Sequence, residues 1–145
     1  MATLSKDAPR VYLPGDQSAY PVIAADVIYE GAAVGENGSG YSRPLVAGDV
    51  FQGFAIETAD NSDGSAGDID VVVKTQGKIL LSIASIGITA NDRAAVYASD
   101  DDTFTLTATS NSLIGFVSRW VATGEAVVEF DAALAAAHNS AAAAV

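Results

Sequence analysis

"DIDVVVKTQGKILLSI", Asp68 to Ile83, sets two aliphatic runs on either side of a Gln76–Gly77 step. Three successive valines favour a strand over a helix, because two heavy atoms on Cβ crowd a helical turn and fit a pleated one. Gln76–Gly77 can close a tight hairpin or bend one long strand through a bulge; the bend is the preferred reading. "KILLSI", Lys78 to Ile83, is continuously apolar. It is therefore expected in the centre of the core with both faces covered.

The same grammar runs outward in both directions. "DVIYEGAAV", "GYSRPLV" and "DVFQGFAIET" precede this stretch. "AAVYAS", "TFTLTAT", "LIGFVSRWV" and "EAVVEFDA" follow it. Each is short, rich in Val, Ile, Phe or Tyr, and bounded by Gly, Asn, Asp or Ser, which is the pattern of strands joined by turns. The fold class expected is all-β, a single small β-sandwich or β-barrel domain over residues 21–131. Residues 1–20 carry Pro9, Pro14 and isolated apolar groups, and read as an extended N-terminal arm. Residues 132–145 are an alanine-rich tail, expected to form a short helix capped by Asp131.

An internal repeat links the two halves. "GFAIETADNSDGSAGDIDVVV" starts at Gly53 and "GFVSRWVATGEAVVEF" at Gly115. Each reads as strand, Gly-acid turn, strand, with Phe54 and Phe116 expected at equivalent core positions. Trp120 is expected on the same strand face as Phe116, in the core, with an interface anchor as its alternative.

The chain has 145 residues, no cysteine and a formal net charge of −11. The acidic surface argues against nucleic acid and anionic membranes as partners. Lack of cysteine removes disulfides and thiolate catalysis. No run of about 18 apolar residues is present to span a bilayer. The arm's charges cancel, Lys6 and Arg10 against Asp7 and Asp16, so the negative excess lies in residues 21–145.

Two acidic stretches raise the question of a site. "YASDDDTFTLT" places Asp100, Asp101 and Asp102 between two strand-like runs. Successive side chains of an extended segment point to opposite faces, so the three carboxylates do not converge, and a hairpin turn is expected. "ADNSDGSAGDID", Ala59 to Asp70, approaches a calcium loop but has Ala59 where the first ligand belongs and Asp70 where a bidentate Glu belongs. A solvated loop is expected there. His138, the only histidine, sits in the alanine tail and offers no triad. "GENGSGYS", Gly35 to Ser42, lacks the lysine of a phosphate loop and reads as a hairpin loop. These readings give no catalytic residue, no metal ligand and no cofactor.

The order of these elements resembles small capsid decoration (cement, head-stabilisation) proteins of tailed bacteriophages. The resemblance covers about residues 24–131 and rests on Gly53-Phe54-Ala55, Gly67-Asp68, Gly77, Asn91-Asp92-Arg93 through Val96-Tyr97, Leu113-Ile114-Gly115 and Gly124-Glu125 to Phe130. Asn91 stands where glycine is usual in that pattern. The resemblance implies a non-enzymatic protein made in the host cytoplasm and carried on the exterior of the virion. It implies the major capsid protein as partner and a homotrimer as the working form. The arm lies outside the shared pattern. Its Lys6, Arg10, Val11, Tyr12 and Leu13 are the expected capsid or inter-subunit contacts. A carbohydrate-binding or adhesive module, assisted by calcium in the Ala59–Asp70 loop, is the alternative. It requires Trp120 and Tyr41 to be exposed for stacking.

Overall fold

The computed structural model describes residues 3–143, with side chains of the C-terminal helix described as far as His138. The first sheet holds β1 (Gln17–Pro21), β3 (Ala33–Glu36), β4 (Ser42–Pro44), β5 (Val50–Ala55) and β7 (Asp70–Lys74). A small ribbon pairs β2 (Asp26–Ile28) with β6 (Ala59–Asn61). The second sheet holds β8 (Gln76–Ser82), β9 (Ala95–Ala98), β10 (Phe104–Thr105), β11 (Ser112–Ala122) and β12 (Glu125–Asp131). The helix α1 (Ala132–Ala143) follows. All strand pairs are antiparallel, as the expected all-β class requires.

The two sheets are built alike. The first has the order β1-β7-β5-β3-β4 and the second, taken from its other end, β8-β12-β11-β9-β10. In both, the strands in space are the first, fifth, fourth, second and third along the chain. The registers coincide as well. Ala33↔Phe54 and Val34↔Gly53 are followed by a slip and then Gly35↔Phe51. Ala95↔Phe116 and Val96↔Gly115 are followed by the same slip and then Tyr97↔Leu113. Single parallel bridges, Val22↔Ser42 and Ile83↔Phe104, join the two edges of each sheet, so both curl toward small closed barrels. The repeat that the sequence shows as two hairpins thus extends to whole five-stranded halves, Gln17–Lys74 and Gln76–Asp131. The β2–β6 ribbon is an insertion in the first half.

Glycine, not phenylalanine, is what the halves share. A Cβ on Gly53 would collide with the carbonyl oxygen of Lys74, and one on Gly115 with that of Glu129, the equivalent partner residue. Phe54 is buried, whereas Phe116 is only half-buried on the outer face, opposite Glu129. The equivalence of Phe54 and Phe116 as core residues therefore fails. Trp120 packs against the core, as expected, but not on the face of Phe116. A register slip at Ser118 turns Val117 and Trp120 inward together, although they are three residues apart. A regular strand would put them on opposite faces.

Each half lines its own interior, Val34, Ala55, Val71 and Val73 in the first and Val96, Val117, Ala126 and Val128 in the second. Phe51 and Phe54 of the first half meet Phe104 and Phe130 of the second at the seam. Phe54 and Phe130 lie edge to face at 4.9 Å, and Phe54 is 5.9 Å from Phe104. Such pairs add about 0.5–1.5 kcal/mol each beyond burial. The helix begins where Asp131 Oδ1 accepts the Ala133 and Leu134 amides at 3.0 and 3.1 Å, the expected cap. It buries Ala135 against β5 and β11.

Two expectations change. The chain enters the sheet at Gln17, so the extended arm is shorter than residues 1–20. "KILLSI" is not central: β8 is an edge strand with alternating exposure, and Leu80 is 58% exposed. Gln76–Gly77 closes no hairpin. Only Thr75 separates β7 from β8, and the chain bends there from one sheet into the other, in line with the preferred reading.

Candidate functional surface

The arm, residues 3–16, makes no strand. Its root is tied to the β7–β8 bend. Asp16 Oδ2 accepts from Lys74 Nζ at 3.0 Å, and the Asp16 carbonyl accepts the Thr75 amide at 2.9 Å. The hydrogen bond from Lys74 and its charge hold the Asp16 carboxyl below its ordinary value. Beyond Gly15 the side chains leave the body. Val11, Tyr12 and Leu13 are 89%, 88% and 81% exposed. Lys6 and Arg10 are exposed and form no ion pair among the described residues. The structure thus brings the five expected contact residues onto one projecting peptide.

The acidic stretches are turns held by their own hydrogen bonds. Asp100 Oδ1 accepts the Asp102 amide at 2.8 Å and Asp100 Oδ2 accepts the Thr103 hydroxyl at 3.0 Å. Those bonds, the Asp102 amide first, lower the Asp100 pKa against its partial desolvation. The turn also docks, because the Asp101 carbonyl accepts the Ala33 amide at 2.9 Å across the seam. Burial, then the charges of Asp100 and Asp102, push the Asp101 carboxyl above its ordinary value. The folded state then binds more protons than the unfolded chain between the ordinary and the raised pKa, so stability falls as pH rises through that window. Asp101→Asn removes this penalty. It is expected to raise Tm at pH 7 by no more than about 2–4 °C, a gain that disappears at about pH 3, where both states hold the proton. Thermal unfolding at the two pH values checks it; an equal gain at both would remove the electrostatic cause.

In the Ala59–Asp70 loop the Asn61 amide donates to the carbonyls of Ile23 and Ser65 at 2.8 and 3.0 Å. Asp68 accepts the Ser65 amide at 2.8 Å and Asp60 the Ser62 amide at 3.0 Å. Asn61 is buried as a pin between loop and ribbon. Among the described residues no three His, Asp or Glu side chains gather to hold a metal ion. Trp120 is half-buried, with its indole N–H donating to the Ile86 carbonyl at 3.2 Å, and Tyr41 is half-buried. Both rings are therefore partly covered rather than fully exposed.

One polar cluster escapes the sequence reading. Arg43 Nε and a terminal guanidinium nitrogen donate to the two oxygens of Asp49 at 2.9 and 2.7 Å. Asp49 Oδ2 also accepts the Val46 amide at 3.0 Å. The Asp49 carbonyl accepts from Ser112 Oγ of the other half, and that hydroxyl oxygen accepts the Gly48 amide at 3.1 Å. The hydrogen bonds to Asp49 raise the Arg43 pKa further. Arg43 and Asp49 stand six positions apart on either side of a turn, a spacing with no motif to mark it. Comparison with protein-family models, curated proteins and solved structures finds no match to this chain.

Proposed function

We propose that this chain is a non-enzymatic capsid decoration protein that binds the outer surface of a bacteriophage head, works as a homotrimer and stabilises the shell. The observation that carries the reading is the arm, with three consecutive large side chains held more than four-fifths exposed beside an otherwise curled, acidic β domain. The motif order over residues 24–131 supports the choice of partner, the major capsid protein. Full burial of Val11, Tyr12 and Leu13 contributes roughly 1.5–3 kcal/mol each. Ordering each arm residue costs about 1–2 kcal/mol. The balance for one arm is small, so useful affinity comes from repeating the contact over a closed lattice. A protein that binds only the assembled shell stabilises it by linkage.

Co-sedimentation with undecorated heads tests the reading. The full chain is expected to bind and to raise the temperature at which heads release DNA. Failure of both sinks it. Removing residues 1–14 leaves Asp16 and β1 in place, so it is expected to cut head binding about tenfold or more, a loss of about 1.4 kcal/mol, with Tm unchanged. Undiminished binding would take the arm out of the interface.

A further inference from the structure

β8 is an edge strand of seven residues in unbroken register with β12; its other edge meets β10 only through the bridge Ile83↔Phe104 just past its last residue, and the Gln76–Leu81 stretch of that edge pairs with no described strand. Of the devices that usually blunt such an edge it carries no proline or bulge, and one lysine, Lys78. Beside it runs an apolar groove lined by Glu30, Gly31, Phe54, Ile56, Lys78 and Ile79. Tyr29 and Ile56 are 65% and 39% exposed at its margin. At one end the groove adjoins a recess formed by Tyr29, Glu30, Asp101 and Asp102. The first end of this chain has the complementary chemistry. Arg10–Leu13 is a four-residue extended segment bounded by Pro9 and Pro14, which confine strand pairing to the residues between them. It is apolar at three positions and cationic at Arg10, with Lys6 four residues before.

We infer that Arg10–Leu13 of one copy docks along the free stretch of the β8 edge in a second copy, with Tyr12 in the groove and Arg10, on the same strand face, against Glu30. This supplies the partner of the arm in the decoration protein proposed above, and it rests on that reading only for its biological setting. Backbone pairing gives such an added strand its affinity and the side-chain pockets its selectivity. Arg10 and Lys6 also bring positive charge to the carboxylates of Glu30, Asp101 and Asp102.

The topology places the docking between copies rather than within one. The Thr75 amide donates to Asp16, and the Thr75 carbonyl accepts from Ala132, at 2.9 Å each. In an extended strand the N–H and C=O of one residue point to the same edge, so β1 and β12 lie end to end along one edge of the β7–β8 strand. The carbonyl of Lys74 faces Gly53 of β5 on the opposite edge, and the groove, lined by Phe54 and Ile56, lies on that side. The arm's backbone thus starts at the edge of β8 away from its own chain's groove, with the Lys74 side chain, which lines the groove and pairs with Asp16, between the two. A head-to-tail contact of this kind propagates from copy to copy, and closes as a ring where the rotation between copies divides a full turn.

Sedimentation velocity of the full chain without heads, from about 1 to 100 µM, tests it. Concentration-dependent association is expected, abolished by removing residues 1–14. Arg10→Glu and Glu30→Lys, both on exposed side chains, are each expected to weaken association about tenfold, and the double variant to restore it. A chain lacking residues 1–14 supplies only a groove; Ile56→Asp supplies only an arm. The two mixed are expected to associate although neither does alone. A monomer at all concentrations, association that survives arm removal, or no restoration in the charge-swapped double variant overturns the inference. If the monomer still binds heads through its arm, the decoration reading stands and the exchange between copies does not.

Discussion

Gly115→Ala and Gly53→Ala are each expected to destabilise the fold by roughly 3 kcal/mol. Both glycines lie in the strand beside the last strand of their own half, where the partner's carbonyl oxygen occupies the space a Cβ needs. A flexible side chain could move aside, but a carbonyl inside a ladder moves only if the strands separate. At Gly53 the cost rises further, because its φ of +132° is one that L side chains rarely adopt. Gly124→Ala is the control. Gly124 has a positive φ of 84° but nothing within 4 Å of its Cβ position. Its cost is therefore conformational only, about 1–2 kcal/mol. Denaturant unfolding of the three variants checks the order. Equal losses at Gly115 and Gly124 would mean that close approach is not what the repeated glycine serves.

Asp49→Ala is expected to cost roughly 3 kcal/mol. The carboxylate is buried and accepts from Arg43 twice and from the Val46 amide once. Its removal strands all three donors. Arg43 keeps 32% of its side chain exposed and can turn partly to water, which holds the loss near the low end for a broken buried pair. Arg43→Ala leaves the less accessible charge behind and is expected to cost as much or more. The double variant should lose less than the sum, since two single removals count the same pair twice. Strict additivity in that cycle would show that the two groups do not act as a pair. Ser112→Ala tests the neighbouring link, because its hydroxyl ties the Asp49 carbonyl and the Gly48 amide of one half to the other.

The strands flanking Gly53 and Gly115 show where sequence reading succeeds. Val71 and Val73, or Ala126, Val128 and Phe130, alternate with outward residues, and a period of two is a local property of the chain. The Asp100 turn and the Asp131 cap are equally local, since each carboxylate bonds amides two or three residues on. The arm was legible for a related reason: prolines and scattered apolar groups deny it a partner nearby. Lys78–Ile83 shows the opposite case. An apolar run looks the same whether a strand lies in the middle of a sheet or at its edge. The edge position was settled when β12, not two strands, came to lie beside it.

The sequence by itself determined that this is a β protein of short strands, acidic outside, with a projecting arm and a capped terminal helix. Those properties depend on residues within a few positions of one another. Only the tertiary structure decided that the halves repeat strand for strand, that Trp120 turns inward past a slip at Ser118, and that Arg43, Asp49 and Ser112 meet at the seam. Each of these depends on which strand lies beside which. The free energy of such a pairing resides in both partners, 63 positions apart for Asp49 and Ser112, and neither segment alone encodes it.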